Sequence, residues 1–192
     1  ATLEAFGRSL TELGLDYADL YLIHWPCAGR GLFVETYQAM LELRAAGQIR
    51  SIGVSNFFTS HLDTLIAGTG DVPVVNQIEL HPLLSQPVLR EYGTAHGIRT
   101  QAWSPLRRGD VFDHPAVVAA AAETGRTPAQ VVLRWHLQLG NLVIPKSVTP
   151  ERIRENFGIF DFTLGAGAMS AISAANRDQR FGPDPAVWGN SD

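Results

Sequence analysis

The chain has 192 residues, of which 45% are hydrophobic, 18% charged and 9% aromatic, a globular composition that excludes long disorder and fibrous repeats. The formal net charge of −4 makes neither nucleic acid nor an anionic membrane an expected partner. A single cysteine, Cys27, excludes an internal disulfide framework and a multi-cysteine metal site. Because no apolar run reaches the roughly 18 residues of a membrane span and no secretion signal is recognised, we expect a cytoplasmic protein.

Hydrophobic spacing predicts alternating helices and strands. In chain order the predicted elements are a helix at 3–13, a strand at 19–24, a helix at 33–46, a strand at 49–54, a helix at 60–67 that breaks at Gly68, a strand at 72–80, a helix at 85–96, a strand at 98–103, a helix at 115–124, a helix opening at Thr127-Pro128, a strand at 142–144 and a helix opening at Thr149-Pro150. The segment 164–169 is predicted to be a weak helix start, and the tail 176–192 to be extended loop.

Helices between buried apolar strands require parallel pairing, so the fold class is α/β. A doubly wound sheet and a (β/α) barrel both fit the pattern. The Gly-x-Gly-x-x-Gly motif favoured by a doubly wound nucleotide-binding sheet is absent. Polar residues follow several predicted strands, and the carboxyl ends of the strands are where a barrel keeps its active site. We therefore predict one barrel domain over residues 1–192, with residues 176–192 as a C-terminal substrate-loop tail.

The number of units is smaller than that of a complete barrel. About five strand–helix units of about 30 residues are present, whereas a full (β/α)8 TIM barrel has eight units and runs to ~250 residues. Three further units would add roughly 90 residues. We therefore expect the chain to hold about the last five of eight units, with the N-terminal third absent.

Five motifs, each at the end of a predicted strand, occur in this order: Leu20-Tyr-Leu-Ile-His-Trp-Pro26, Ile52-Gly-Val-Ser-Asn-Phe57, Val75-Asn-Gln-Ile-Glu-Leu-His-Pro82, Ala102-Trp-Ser-Pro-Leu106 and Ile144-Pro-Lys-Ser-Val148. Together they closely resemble the aldo-keto reductases. Two further segments are similar to the bacterial 2,5-diketo-D-gluconate reductase-like branch, namely Gln130-Val-Val-Leu-Arg-Trp-His136 and Glu151-Arg-Ile-Arg-Glu-Asn156. The resemblance covers the chain from Leu3 to about Ile172.

The resemblance implies that His24 hydrogen-bonds and polarises a substrate carbonyl. It also implies that Trp25 lines the substrate pocket, with Trp188 in a tail loop that contributes to substrate binding. A histidine or tryptophan at the end of a strand is also a common core residue, so packing is the alternative role for His24 and Trp25.

The resemblance assigns the cofactor, NADPH, to two groups of residues. Ser55, Asn56 and Gln77 would bind the nicotinamide carboxamide, which needs both donors and acceptors, and Trp103 would stack on the nicotinamide ring. For Ser55 and Asn56 the alternative role is turn capping.

The second group follows the last predicted strand. By resemblance, Lys146, Ser147 and Arg152 would bind the 2′-phosphate of NADPH at a helix N-terminus, a place that attracts phosphate. Ordinary solvated surface charge is the alternative. Glu155 and Asn156 would approach the adenine, and the same resemblance adds Ser104, Leu106 and Val148 to the cofactor residues.

The family's general acid is a tyrosine, and none of the four tyrosines suits that role. Tyr21 alternates out of phase with His24, Tyr17 lies at the wrong end of its strand, and the other two fall in predicted helices. A proton donor contributes about 10²–10⁴ in rate. We therefore expect the tyrosine on the absent N-terminal part and predict that this segment alone reduces carbonyls poorly.

The function implied by the resemblance is NADPH-dependent reduction of an aldehyde or ketone to an alcohol. The substrate would be a small carbonyl compound, without nucleic acid, membrane or metal, and the full-length protein would be a monomer. Two alternatives stay open. The chain could be a non-catalytic NADPH-binding or regulatory partial barrel, or an inactive fragment whose open sheet edges favour aggregation.

Overall fold

The structure, a computed structural model, describes residues 1–190. The helices in this range are α1 (Thr2–Leu13), α2 (Phe33–Ala45), α3 (Thr59–Thr69), α4 (Pro87–His96), α5 (Pro115–Thr124), α6 (Pro128–Gln138), α7 (Pro150–Phe157) and α8 (Ala166–Ser173). The strands are β1 (Ala18–Ile23), β2 (Ile49–Ser55), β3 (Val75–Glu79), β4 (Arg99–Trp103) and β5 (Leu142–Val143). The predicted alternation of strands and helices is confirmed.

The five strands form one sheet in the order β1-β2-β3-β4-β5. Parallel register joins Ile23 to Val54, Ser55 to Gln77 and Ala102 to Val143. A doubly wound sheet reverses its strand order at a switch point, whereas barrel strands follow one another around the sheet. The observed order is that of a barrel.

The chain divides into two compact units. The first consists of residues 1–77, residues 89–99 and the residues from Pro183 on. In this unit α2 packs against α1, α3 and the strands β1 and β2. Fully buried apolar side chains fill its core, including Phe6, Tyr37, Met40, Ile52, Phe57, Leu62 and Leu65.

The second unit consists of residues 78–88 and 100–182. Its helix α5 packs against α6 and α8, and α6 also packs against α7 and β5. Its fully buried side chains include Leu80, Val111, Val117, Leu133, Trp135 and Ile172. Trp135 also donates its indole N–H to the Ser173 hydroxyl at 3.0 Å, so this polar group is satisfied in the core.

The predicted break of α3 at Gly68 is wrong. The helix continues to Thr69 and ends at Gly70, whose left-handed φ of 69° suits a glycine cap. A Cβ atom at Gly68 would lie 2.8 Å from Cγ1 of Val34 in α2. Gly68 therefore permits the close approach of two helices. A local sequence pattern cannot distinguish a glycine in this role from a glycine that ends a helix.

The predicted start of β3 also changes, whereas that of α6 does not. β3 begins at Val75 instead of residue 72, because Pro73 has no N–H to donate to a sheet ladder. α6 begins where predicted, and Thr127 and Gln130 form a reciprocal capping box at its start. Residues 176–190 contain no helix or strand, as predicted for the tail.

No helix within residues 1–190 is long and apolar enough to cross a membrane.

Candidate active site

His24 immediately follows β1, at the carboxyl end of the strand. Its side chain is exposed, and its backbone carbonyl accepts a hydrogen bond of 3.0 Å from Nδ2 of Asn56. Tyr21 points to the other face of the strand, where its ring packs edge-on against Phe6 of α1 at 4.9 Å between centroids. Alternation therefore places His24 on the face that is turned away from α1, as predicted.

Two of the predicted substrate residues lie together in the first unit. The rings of Trp25 and Trp188 are 4.5 Å apart between centroids, and Trp25 is 6.1 Å from the His24 ring. The tail that carries Trp188 is fixed where Gly29 donates its backbone N–H to Oδ1 of Asn190 at 2.8 Å. The structure thus brings His24, Trp25 and Trp188 to one place.

Ser55, Asn56 and Gln77 form a hydrogen-bonded cluster at the ends of β2 and β3. The Ser55 hydroxyl donates to the Gln77 carbonyl at 2.8 Å, and Nδ2 of Asn56 donates to that hydroxyl at 3.1 Å. Asn56 has a left-handed φ of 63°, a conformation that asparagine tolerates better than most residues. Both N–H groups of the Asn56 amide hold the strand ends together, so capping accounts for part of this cluster's role.

Besides Tyr21, the other three tyrosines also contact groups other than His24. Tyr37 donates its hydroxyl to Asp71 at 2.8 Å and Tyr92 donates to Asp63 at 2.5 Å. The Tyr17 ring lies under Arg50, with the guanidinium carbon 4.1 Å from the ring centroid.

The environments of two tyrosines also oppose proton donation. Burial, and then the hydrogen bond to Asp71, raise the pKa of Tyr37. Burial, and then the hydrogen bond to Asp63, raise the pKa of Tyr92 to about 12. A tyrosine with a raised pKa is a weaker acid at neutral pH.

The second unit contains a cavity of about 710 Å³, within the ~300–1,000 Å³ range of small-molecule sites. It lies between the loop that follows β4 and the start of α7. Eight predicted cofactor residues line it: Ser104, Leu106, Lys146, Ser147, Val148, Arg152, Glu155 and Asn156. The structure therefore brings together the residues that the resemblance assigns to the phosphate and adenine.

The cavity wall is rich in cationic side chains. Lys146 and Arg152 were predicted, and the structure adds Arg107 and Arg108 from the loop after β4. One acidic residue of the wall, Glu155, accepts a hydrogen bond from the Thr127 hydroxyl. Four cations with a hydroxyl group nearby favour a ligand that carries several negative charges.

Sequence reasoning missed Arg107 and Arg108. Both adopt left-handed backbone conformations, with φ of 43° and 56°, and this irregular turn directs them to the cavity. The available signal was two adjacent arginines directly after the Trp-Ser-Pro-Leu motif, within reach of a cluster that was already predicted to bind phosphate.

Trp103 ends β4 but does not line the cavity. Its ring lies against Gly182, where an added Cβ atom would overlap it. Gly182 also lies close to Glu79, the last residue of β3, whose carboxylate is fully buried.

Glu79 has partners that the sequence did not reveal. His81 lies 3.0 Å from the carboxylate through Nε2, and the backbone N–H groups of Phe181 and Gly182 donate to it. Burial alone would raise the pKa of Glu79, but the hydrogen bonds from His81, Gly182 and Phe181 outweigh it and lower the pKa. His81 also shapes the loop that follows β3. Its backbone N–H and carbonyl groups pair with those of Leu84.

No group of histidine, cysteine, aspartate and glutamate side chains within residues 1–190 is arranged to hold a metal ion.

Comparison with known proteins places these features in context. The aldo/keto reductase family model matches residues 2–177. An aldo-keto reductase of Mycobacterium sp. strain KMS is 56% identical, over 98% of this chain and 68% of the relative. Methylglyoxal reductase DkgA of Escherichia coli strain K12 is 49% identical, over 97% of this chain and 68% of the relative.

Solved structures agree with these relatives. Gox0644 in its apo form superposes with a TM-score of 0.94 at 50% identity, over 96% of this chain and 68% of that protein. A mutant of Gox0644 in complex with NADPH superposes with a TM-score of 0.94 at 49% identity, over 97% of this chain and 69% of that protein. These likenesses confirm the predicted barrel class of the fold.

Proposed function

Because the chain belongs to the aldo/keto reductase family, we propose that it binds NADPH and serves the reduction of an aldehyde or ketone to an alcohol. The observation that carries the proposal is the cationic cavity of the second unit. Its eight predicted lining residues come from the loop after β4 and from the segment between β5 and the end of α7.

The chemistry of the cavity fits the phosphate-bearing part of NADPH. Lys146 and Arg152 would provide charge-assisted hydrogen bonds to the 2′-phosphate, and Ser147 would donate from its hydroxyl. The N-terminus of α7, which begins at Pro150, adds the positive end of a helix dipole. NADH lacks the 2′-phosphate, so this set of groups favours NADPH.

The first unit by itself carries groups that suit a nicotinamide carboxamide and a carbonyl substrate. Asn56 and Gln77 carry the amide groups that a carboxamide needs as partners, and Ser55 fixes Asn56 in place through the 3.1 Å bond. His24 is exposed at the strand end, where it would hydrogen-bond the substrate carbonyl oxygen and polarise the bond. Trp25 and Trp188 would hold the substrate's apolar part.

Bound NADPH supplies the hydride in this chemistry. His24 would orient the carbonyl for its arrival. The contacts of Tyr17, Tyr21, Tyr37 and Tyr92 indicate that none of these residues protonates the product oxygen. We therefore propose that the 192 residues by themselves reduce carbonyl compounds slowly. As the probe substrate we propose methylglyoxal, which the name of the Escherichia coli relative specifies for that protein.

The contacts of the four tyrosines also favour a second candidate function. A partial barrel without a positioned proton donor would bind NADPH without turnover, as a binding or regulatory protein. Both functions require the cavity to bind NADPH, and only the first requires His24 and a proton donor.

Two arginines of α7 allow a matched test of the cavity. Arg152 lines it, whereas Arg154 does not and lies 3.9 Å from Glu151 on the exposed side of the helix. We expect Arg152→Gln to weaken NADPH binding roughly tenfold, the effect of losing one charge-assisted hydrogen bond, and to leave NADH binding nearly unchanged. Isothermal titration calorimetry measures both affinities.

Arg154→Gln is the control, since it removes the same charge from the same helix. We expect it to leave both affinities within about twofold of those of the unmodified chain, because an exposed charge outside the site contributes little. Equal losses in the two variants would show a nonspecific charge effect and contradict the assignment of Arg152.

A further inference from the structure

The segment Arg180–Gly182 is anchored at a buried charge in the second unit. Phe181 and Gly182 donate their backbone N–H groups to the Glu79 carboxylate at 2.6 and 2.9 Å, and the Arg180 guanidinium lies 4.0 Å from it. A displacement of this segment would leave a buried carboxylate without its donors, which is costly. The backbone of the segment is thus fixed.

The anchored segment presents the Phe181 ring to the loop that lines the cavity. The guanidinium carbon of Arg108 is 4.6 Å from the ring centroid, and that of Arg107 is 6.0 Å from it. Arginine is attracted to an aromatic face within about 6 Å. Phe181 does not line the cavity itself, so its contact with the cavity runs through these two arginines.

The loop Ser104–Gly109 needs such support because its backbone is strained. Ser104, Arg107 and Arg108 have φ values of 50°, 43° and 56°. Residues with a Cβ atom rarely adopt this left-handed region, and they keep it only where the surroundings hold them. Within the loop, Arg107 donates its backbone N–H to the Ser104 carbonyl at 2.9 Å, and its guanidinium lies 3.6 Å from the Asp110 carboxylate. Its Nε atom is buried without a hydrogen-bond partner among the described residues.

We infer that Arg180–Gly182 is a clamp, anchored at Glu79, that holds the loop Ser104–Gly109 in the conformation that lines the cavity. Phe181 and Glu79 are then positioning residues for ligand binding, since they act through Arg107 and Arg108. The inference rests on the proposed function in one respect, because the clamp would aid ligand binding only if the cavity binds a phosphate-bearing ligand.

The substitution Phe181→Leu tests the clamp without removing the buried charge. It keeps the backbone N–H donors to Glu79 and an apolar side chain, but it removes the aromatic face. Phe160→Leu is the matched control, because Phe160 is an exposed phenylalanine of the same unit that does not line the cavity. The probe is adenosine 2′,5′-bisphosphate, which carries the 2′-phosphate without the nicotinamide.

We expect Phe181→Leu to weaken binding of the bisphosphate about three- to tenfold, and Phe160→Leu to leave it unchanged. Hydrogen–deuterium exchange in the peptide that covers residues 104–109 should become faster in Phe181→Leu only. A purely structural role of Phe181 would lower the melting temperature without this local change.

The two readouts separate the clamp from the proposed function. If the unmodified chain does not bind the bisphosphate, the proposed function is contradicted. The rate of hydrogen–deuterium exchange in residues 104–109 then still tests whether Phe181 holds the loop. Faster exchange in Phe181→Leu than in Phe160→Leu supports the clamp. Equal exchange in the two variants overturns it, whatever the affinities.

Discussion

The substitution Glu79→Ala is expected to lower the free energy of unfolding by about 3–5 kcal/mol, the range measured when one partner of a buried polar pair is removed. The Glu79 and His81 side chains are 0% exposed. The substitution leaves Nε2 of His81 and the N–H groups of Phe181 and Gly182 without their acceptor. Such a loss is large against the ~5–15 kcal/mol that stabilise a typical domain. Urea unfolding measures it.

Glu123→Ala is the control, since Glu123 is an exposed glutamate in α5 of the same unit, and we expect it to change stability by less than about 0.5 kcal/mol. A loss below about 1 kcal/mol in Glu79→Ala would contradict the role of Glu79 as an anchor.

The same carboxylate makes stability depend on pH. Its pKa is lowered from the ordinary value of 4.5, so its contribution is complete above that pH and is lost as the pH falls through the lowered folded-state pKa. In Glu79→Gln the loss of stability below pH 4.5 should therefore be smaller than in the unmodified chain.

Methylglyoxal reduction by the 192-residue chain is expected to be about 10²–10⁴-fold slower than reduction by Escherichia coli DkgA under the same conditions, the usual contribution of a positioned proton donor. The physical reason is that the tyrosines at 17, 21, 37 and 92 contact other groups, and burial and a carboxylate raise the pKa of two of them. Absorbance of NADPH at saturating cofactor measures the turnover number.

Tyrosine-to-phenylalanine substitutions provide the control for this result. Each of the four single variants, once shown to be folded by circular dichroism, should retain the turnover number of the unmodified chain. Turnover of the unmodified chain equal to that of DkgA would contradict the proposal. A loss of more than tenfold in any one variant would also contradict it, because it would identify that tyrosine as the proton donor.

Local patterns predicted the order of helices and strands, and the family resemblance supplied the candidate site residues. β1, α5 and the start of α6 follow from apolar spacing and capping residues that are close in sequence. Lys146, Ser147 and Arg152 line one cavity because they lie within seven residues of each other, from the end of β5 into the first turn of α7. A short segment keeps its residues close whatever the rest of the chain does.

Features that depend on distant residues were not predictable in this way. The hydrogen bond from the Phe181 N–H to the Glu79 carboxylate joins residues that are 102 positions apart. No local sequence pattern around either residue predicts the other as its partner. α3 continues past Gly68 because Val34 of another helix packs there. Arg107 and Arg108 reach the cavity because their backbone adopts left-handed conformations. Amino-acid composition and the spacing of hydrophobic residues do not predict such conformations.

The central claim is that the cationic cavity binds the 2′-phosphate of NADPH. Its most direct test is a calorimetric titration of the unmodified chain with NADPH and with NADH, repeated with Lys146→Met. We expect NADPH to bind roughly tenfold to a hundredfold more tightly than NADH, and Lys146→Met to remove most of the difference. Equal affinity of the unmodified chain for the two cofactors, or no binding of NADPH, would contradict the claim.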